Sequence, residues 1–273
     1  MTTTSRPTKS TIASSDGTQI AYWRSGRGDP LVVVHGGTSD HTRWDTLLPL
    51  LEPHMVVCAM DRRGRGESGD GLEYSIDLER DDVARVVDDV ALATGAEVNL
   101  FGHSFGALVA LEAARVTPAL RSLVLYEPPI GVPRLPIEPE LIDHVEALAV
   151  AGHGEEAVVT FFGAIGMPDS DMAALQAHPA WPVRVANAGT IGREARAVSA
   201  YLPEPDRLAA IAAPTLLLMG SQTPPPLAAG TEFLAGALPD ARIALLDGQG
   251  HAAHDTSPTL LVDAIVNFLD DSG

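Results

Sequence analysis

A serine between two glycines is the clearest chemical signal in the sequence. Ser104 is the centre of Gly102-His103-Ser104-Phe105-Gly106, which fits the pattern Gly-x-Ser-x-Gly. A serine hydroxyl attacks a carbonyl carbon when a neighbouring base accepts its proton. The same five residues also fit a tight structural turn that merely contains serine, so the elements around the motif have to decide between the two interpretations.

The segments on either side of this motif predict a strand, a sharp turn and a helix. Residues 98–101 form a short apolar run typical of a buried strand, and residues 107–115 are rich in good helix formers. The flanking glycines leave room for a turn that holds serine in an unfavourable backbone region. Free N–H groups at the start of the helix would stabilise an anionic oxygen on a bound substrate. We therefore interpret Ser104 as a nucleophile.

Strand and helix signals alternate along most of the chain. After a predicted hairpin over residues 11–23, apolar strand candidates recur between helical segments, one of which covers residues 42–51. This alternation predicts an α/β fold with a mostly parallel sheet, helices on both faces, and ligands bound beyond the carboxyl ends of the strands. The strand candidates are residues 30–35, 55–60, 98–101, 121–126, 214–219 and 242–246.

One long segment interrupts this alternation. Residues 130–212 contain helical pieces and many prolines but no convincing strand. The segment enters at the sheet edge where the strands end, so we expect it to cover the site as a helical lid. The predicted organisation is an α/β core of residues 1–129 and 213–273 with a cap at 130–212. The helical pieces span residues 140–149, 155–165, 171–177 and 193–200.

In combination, these motifs resemble those of α/β-hydrolase-fold enzymes over nearly the whole chain. The resemblance implies a serine hydrolase of esterase or lactonase type and puts its catalytic base at His251, in the loop before the final helix. The matching segments are residues 32–37, 61–68, 102–106, 214–220 and 248–251. The rival candidates for the base are His254, His103 and His35.

The third member of the implied triad departs from the commonest pattern of that fold. There an aspartate follows the strand that corresponds to residues 214–219, but here Thr223 holds its place. Some α/β hydrolases, including certain lactonases and dehalogenases, take the acid from the strand after the nucleophile helix, and that strand ends at Glu127. A carboxylate there would orient the histidine ring and stabilise its charged form. Asp247 is the competing candidate.

Two backbone N–H groups have to bind the oxyanion in such a site. We expect one from Phe105, directly after the nucleophile, and one from Gly37 in the turn after the first buried strand, with Thr38 as the alternative. Large apolar residues of the lid favour a hydrophobic or aromatic small-molecule substrate, although they also fit a lid core. The predicted substrate-binding residues are Trp44, Phe161, Phe162 and Trp181.

Composition narrows the range of partners. The 273 residues carry a net charge of −18, which disfavours nucleic acid or an anionic membrane surface as a partner. The single cysteine, Cys58, allows no disulfide within the chain. Neither a zinc-protease motif nor a Walker-type loop is present, so we predict no metal and no cofactor. Without a visible signal peptide or membrane-spanning run, we expect a cytoplasmic protein, and a homodimer stays open.

The leading hypothesis is a serine hydrolase that cleaves an ester or lactone of a hydrophobic small molecule through a Ser104-His251-Glu127 triad and an acyl-enzyme. Hydrolysis of a carbon–carbon bond, or cofactor-free perhydrolase chemistry, would use the same serine and histidine. A different class also stays open. Because Thr223 stands where an acid is common, the chain could be a small-molecule-binding or tailoring protein with a degenerate triad.

Overall fold

Eight β-strands lie at the centre of the computed structural model, which describes residues 7–132, 135 and 137–271. They are β1 (Thr8–Ala13), β2 (Gln19–Gly26), β3 (Asp29–Val34), β4 (Met55–Met60), β5 (Val98–His103), β6 (Leu120–Tyr126), β7 (Thr215–Gly220) and β8 (Ala241–Leu246). They form one sheet in the order β1-β2-β4-β3-β5-β6-β7-β8. The first two strands are a hairpin, β2 pairs antiparallel with β4, and all later pairs are parallel. The predicted mostly parallel α/β sheet is confirmed.

Parallel pairing brings the ends of β5, β6 and β7 together at one edge of the sheet. His103 is paired with Tyr126, and Tyr126 with Leu218. One residue further on, the Ser104 N–H donates to the carbonyl of Tyr126 at 2.9 Å, and the Glu127 N–H donates to that of Leu218 at 3.3 Å. The residues that follow these three strands are therefore neighbours in space.

Helices cover both faces of this sheet. The face that carries α2 and α3 and the face that carries α1 and α12 each bury a separate apolar cluster. The helices are α1 (Leu48–Leu51), α2 (Ile76–Thr94), α3 (Phe105–Ala114), α4 (Pro139–Val150), α5 (Gly154–Ala164), α6 (Asp169–Ala177), α7 (Trp181–Ala186), α8 (Ile191–Ala200), α9 (Pro205–Leu208), α10 (Pro225–Ala237), α11 (Ala253–Thr256) and α12 (Pro258–Asp271), with short 3-10 helices at His41–Trp44 and Ala188–Thr190.

Helix α2 shows how local sequence sets these elements. Its N-cap residue, Ser75, accepts a hydrogen bond from the Leu78 N–H at 3.1 Å, and the left-handed Gly95 ends it. Between these ends, a valine stripe at helical spacing is fully buried against the sheet, as the sequence predicts. The stripe consists of Val83, Val86, Val87 and Val90.

The helices α4 to α9 lie between β6 and β7 in the chain, and we call this segment the cap. It has an apolar cluster of its own, separate from the two clusters of the sheet. No strand occurs among the described residues of the cap. The fully buried members of the cap cluster are Val145, Ala157, Val158, Ala188 and Ile191.

The prediction of a single helix over residues 42–51 is wrong. The segment forms a 3-10 helix at His41–Trp44 and then the four-residue α1. Pro49 explains the break, because it has no N–H to donate and its ring clashes with the carbonyl four residues earlier in a continuous helix. The sequence also missed α7, which begins one residue before Pro182. Among the described residues, no helix is long and apolar enough to cross a bilayer.

Candidate active site

Ser104 lies in a strained turn between β5 and α3. Its φ of 54° and ψ of −127° are rare for a residue with a side chain. Two glycines make the turn possible. A Cβ at Gly102 would lie 2.5 Å from the carbonyl oxygen of Gly106, and a Cβ at Gly106 would lie 2.4 Å from that of Val34. The motif therefore has a steric basis, and it holds Ser104 at the N-terminus of α3.

His251 and Glu127 form a close pair beside this turn. Nδ1 of His251 lies 2.6 Å from Oε2 of Glu127. The carboxylate is fully buried, whereas 33% of the histidine side chain is exposed. Burial opposes ionisation of Glu127 most strongly, but the hydrogen bond and the charge of His251 outweigh it, so the pKa of Glu127 lies below its usual range. An ionised carboxylate in this position orients the ring and favours its charged form.

The second oxygen of Glu127 is held by the turn after β7. Oε1 accepts hydrogen bonds from the Gly220 N–H, at 2.9 Å, and from the hydroxyl of Thr223. Thr223 stands where the commonest pattern of the fold has its aspartate, and here it donates to a carboxylate from the neighbouring strand. Both oxygens of Glu127 thus have partners, as a buried charge requires.

Buried groups also fix the backbone of the loop that carries His251. The Tyr126 hydroxyl donates to the carbonyl of Gly250 and accepts from the Ala253 N–H at 3.1 Å. Nε2 of His103 lies 3.0 Å from the carbonyl of His251 and donates to it, since a carbonyl only accepts. The loop is therefore held on both sides of the histidine.

The serine and the histidine are not hydrogen-bonded to each other in this conformation. Among the described residues, the hydroxyl of Ser104 makes no hydrogen bond to the ring of His251. Both side chains retain some exposure to solvent. In unliganded enzymes, catalytic hydrogen bonds are often long and tighten only when substrate binds.

The predicted oxyanion donors flank Ser104. A Cβ at Gly36 would lie 3.0 Å from that of Ser104, so the turn after β3 packs directly on the nucleophile. Neither the Gly37 N–H nor the Phe105 N–H donates to any other described residue. The Thr38 hydroxyl donates to the carbonyl of Gly37 at 2.8 Å, which fixes the orientation of that peptide.

Backbone strain concentrates at this site. Among the described residues, Thr38, Ser104 and Glu127 are the ones other than glycine with positive φ, at 55°, 54° and 47°. They follow three different strands and meet at one edge of the sheet. Such strain costs about 1–3 kcal/mol per residue and tends to persist at functional sites, where the surrounding structure enforces it.

A buried ion cluster joins the cap to the core beside the turn after β3. Nε of Arg62 donates to Oε2 of Glu79 at 2.7 Å, and the guanidinium groups of Arg62 and Arg65 both donate to Glu194 of α8. The second oxygen of Glu194 lies 3.0 Å from the position of a Cβ at Gly37. Glycine at that position therefore lets a cap carboxylate approach the turn.

Comparison with known proteins places this geometry in a family. The family model described as "Alpha/beta hydrolase family" matches residues 31–264 of the chain. The chain belongs to the α/β-hydrolase family. A solved α/β hydrolase from Sphaerobacter thermophilus is 34% identical and superposes with a TM-score of 0.84, covering 95% of this chain and all of that one. The membership identifies the protein as a hydrolase.

Two curated relatives of this α/β hydrolase differ in how much of the chain they match. The 2-(acetamidomethylene)succinate hydrolase of Mesorhizobium japonicum is 28% identical over 259 residues, which are 90% of this chain and 89% of that protein. The N-formylmaleamate deformylase of Pseudomonas putida is 35% identical over 125 residues, so the match spans only 44% of this chain and 45% of the deformylase.

Within the α/β hydrolase, one predicted substrate contact needs correction. Trp44 is 1% exposed and packs against Phe101 in the core cluster beneath the sheet, with ring centroids 5.2 Å apart. It contributes to core packing because its 3-10 helix turns the indole inward. The three predicted cap residues surround the cap cluster and are half-buried, and their contact with substrate stays a prediction. They are Phe161, Phe162 and Trp181.

The other candidates take structural positions. Asp247 is exposed, and its side chain makes no ion pair with a described residue. His254 is 1% exposed and packs against His103 in a tilted arrangement, with ring centroids 4.4 Å apart. His35 is fully buried, and its Nε2 accepts from the Arg62 N–H at 3.2 Å. These positions leave His251 as the histidine that contacts a carboxylate at the site.

One group of potential metal ligands occurs elsewhere in the described residues. Asp40, His41 and Asp61 bring their ligand atoms within 4.8 Å of one another. The carboxylate oxygens of both aspartates already accept hydrogen bonds from the backbone of the loop. Asp61 Oδ1 accepts from the N–H of His41 at 2.7 Å, and Asp40 Oδ1 accepts from that of Thr42 at 2.9 Å. The group is thus explained by the turn it stabilises.

Sequence reasoning missed three residues of the site. His103 was considered only as a rival for the base, yet its ring lies 4.6 Å from that of His251. Arg184 and Glu194 of the cap reach the turn after β3. The position of His103 directly before Ser104 in the sequence is a signal that could have indicated its place in the site. The cap residues have no local pattern that could indicate them.

Proposed function

We propose that this α/β hydrolase cleaves an ester or lactone of a small molecule through Ser104, His251 and Glu127. The observation that carries the proposal is the 2.6 Å contact between His251 and the buried carboxylate of Glu127, beside a serine in a strained strand-to-helix turn. A carboxylate from the neighbouring strand would supply the third member despite Thr223, and the contact of Glu127 with His251 supports an enzyme over a degenerate binding protein. A homodimer and a cytoplasmic location stay predictions from the sequence.

The proposed reaction follows from the positions of these groups. His251 accepts the proton of the Ser104 hydroxyl as its oxygen attacks the carbonyl carbon, and Glu127 stabilises the resulting imidazolium. The N–H groups of Gly37 and Phe105 bind the oxyanion. His251 then protonates the leaving alcohol, the carbon–oxygen bond breaks, and an acyl-enzyme forms. Water, deprotonated by the same ring, releases the acid.

Hydrolysis of an N-acyl group is a second candidate, because a specific comparison favours it. The relatives with matches to this chain include proteins named for an N-formyl and an acetamido compound. The same serine and histidine would serve, with His251 protonating a leaving nitrogen instead of an oxygen. Both candidates share the acyl-enzyme.

Labelling with a fluorophosphonate probe tests the proposal, since only an activated serine reacts with it. We expect the wild type to be labelled and to release 4-nitrophenol from 4-nitrophenyl esters with an initial burst. Ser104→Ala should abolish both. Asp247→Asn is a comparison variant that removes an exposed carboxylate between β8 and His251, and it should still be labelled. A wild type that stays unlabelled and hydrolyses no ester or N-acyl compound would refute the proposal.

A further inference from the structure

The cap contains a buried arginine without a carboxylate partner. Only 8% of the surface of Arg184, in α7, is exposed. Its Nη1 donates to Oγ1 of Thr38 at 3.0 Å, and its Nε is buried without an acceptor. No carboxylate of the described residues lies within ion-pair distance of it. An unpaired buried charge is costly, so the site suits an anion that the described part of the chain does not supply.

A second buried cation lies close to the first. Nη2 of Arg43 donates to Asp255 at 2.6 Å, while its Nε also lacks an acceptor. Burial, followed by the charge of Arg43, lowers the pKa of Arg184 to about 9, against the opposing charge of Asp255. Neighbouring His254 is buried, and neither ring nitrogen makes a hydrogen bond, although Nε2 lies 3.8 Å from Oδ2 of Asp255. Its pKa lies well below the usual range, chiefly through burial. The cluster of these four residues therefore carries one positive charge in excess.

This cluster is connected to the candidate active site. The Thr38 hydroxyl accepts a hydrogen bond from Arg184 and donates one to the carbonyl of Gly37. The N–H of Gly37 is the predicted oxyanion donor. The charges of Arg43 and Arg184 also act on the ring of His103, which lies 4.6 Å from that of His251. Arg184 is thus linked through one hydroxyl to the peptide that carries the predicted oxyanion donor.

We propose that Arg184, supported by Arg43, binds a carboxylate carried by the substrate. The proposal rests on the proposed function, because it names the class of acyl compound that the same site takes. Thr38 accepts a hydrogen bond from Nη1 of Arg184 only. The edge of the guanidinium group formed by Nε and Nη2 therefore has no partner among the described residues. That edge presents two parallel N–H groups, which match the two oxygens of a carboxylate. One bound carboxylate neutralises the excess charge of the cluster.

Two matched pairs of esters test whether a substrate carboxylate interacts with the positive charge of Arg184. The first compares mono-4-nitrophenyl glutarate with 4-nitrophenyl pentanoate, and so places the carboxylate on the acyl side. The second compares 4-acetoxybenzoate with its methyl ester, which places it on the leaving group. In at least one pair, Arg184→Met should lower kcat/KM for the charged ester about 10- to 100-fold, the range of a charge-assisted hydrogen bond, and that for the neutral one by less than about 3-fold.

Two controls separate this role from a structural one. If Arg184 acts only by holding Thr38, then Arg184→Met and Thr38→Val should lower kcat/KM equally for charged and neutral esters, and that result would overturn the proposal. Arg196→Met removes an exposed cap arginine that pairs with Asp143 and Glu146. This variant should leave the preference for charged esters unchanged.

A binding measurement keeps the proposal independent of turnover. Glutarate should raise the Tm of Ser104→Ala, glutaramide should not, and the double variant with Arg184→Met should lose the response. No shift with glutarate together with no preference for charged esters would overturn the subsite alone, if Ser104 is labelled by the fluorophosphonate probe. A glutarate shift that depends on Arg184, with Ser104 unlabelled, would instead sustain the subsite and refute the hydrolase mechanism.

Discussion

Replacing Glu127 by glutamine removes the charge of the buried acid while keeping its size. Oε1 of Glu127 accepts hydrogen bonds from Gly220 and Thr223. The amide oxygen of glutamine should therefore occupy the position of Oε1 and accept the same hydrogen bonds. The amide nitrogen then faces Nδ1 of His251, which in wild type is 2.6 Å from a carboxylate oxygen. A donor at that place favours the tautomer with the proton on Nε2, and this tautomer cannot accept the serine proton. The alternative amide orientation leaves two donors without an acceptor.

We expect kcat to fall roughly 10³- to 10⁴-fold, because the ring loses both its correct tautomer and the charge that stabilises the imidazolium. In terms of the activation barrier this is about 4–5.5 kcal/mol. Thr223→Val removes one of the hydrogen bonds to the acid but keeps its charge, so its kcat should fall only about 10-fold.

The assay is steady-state hydrolysis of a 4-nitrophenyl ester that the wild type turns over, together with a thermal melt of each variant. Asp247→Asn is the matched control, since this exposed carboxylate lies four positions before His251 in the sequence. Its kcat should stay within about 3-fold of wild type, the range of an exposed group without a partner. If Asp247→Asn loses activity by orders of magnitude and Glu127→Gln retains most of it, the acid has been wrongly assigned.

Two further predictions concern the cap and the nucleophile turn. Glu194→Gln removes the carboxylate shared by two buried arginines, and it should lower the free energy of unfolding in urea by about 3–5 kcal/mol. By contrast, Asp143→Asn breaks an exposed ion pair and should cost less than about 1 kcal/mol. Gly106→Ala should abolish soluble folded protein, because its Cβ would lie 2.4 Å from a carbonyl oxygen. Gly163→Ala, exposed in the last turn of α5 with open space around it, should raise Tm through a gain of at most about 0.5–1 kcal/mol.

The parts of the site that depend on strand ends could be predicted from the sequence. Each parallel strand is an apolar run, and the residue after it falls at one edge of the sheet by geometry alone. This geometry puts Ser104, which the Gly-x-Ser-x-Gly motif indicates, and Glu127, which the family resemblance implies, at the same edge, and the structure pairs Glu127 with His251. The absence of an aspartate at Thr223 was itself informative, because it directed attention to the neighbouring strand.

The contribution of the cap could not be predicted in this way. Arg184 lies 146 positions from its partner Thr38, and Glu194 lies 132 positions from Arg62. No periodic pattern encodes contacts at such separations, since they depend on how the cap packs on the core. The prediction that Trp44 contacts substrate was wrong for a related reason. An aromatic residue near a predicted site has the same sequence signature whether it packs in the core or faces a ligand.

The strained residues show why these distant contacts matter for catalysis. Thr38, Ser104 and Glu127 each hold a backbone conformation that costs about 1–3 kcal/mol, and each is enforced by neighbours from another element. Arg184 of the cap donates to Thr38, and the turn after β7 donates to Glu127. Weakening such a neighbour lets the backbone relax, which recovers part of the strain while it displaces a proposed oxyanion donor or the proposed acid. Changes in the supporting contacts should therefore reduce turnover more than they reduce stability, whereas changes in the sheet core should do the reverse.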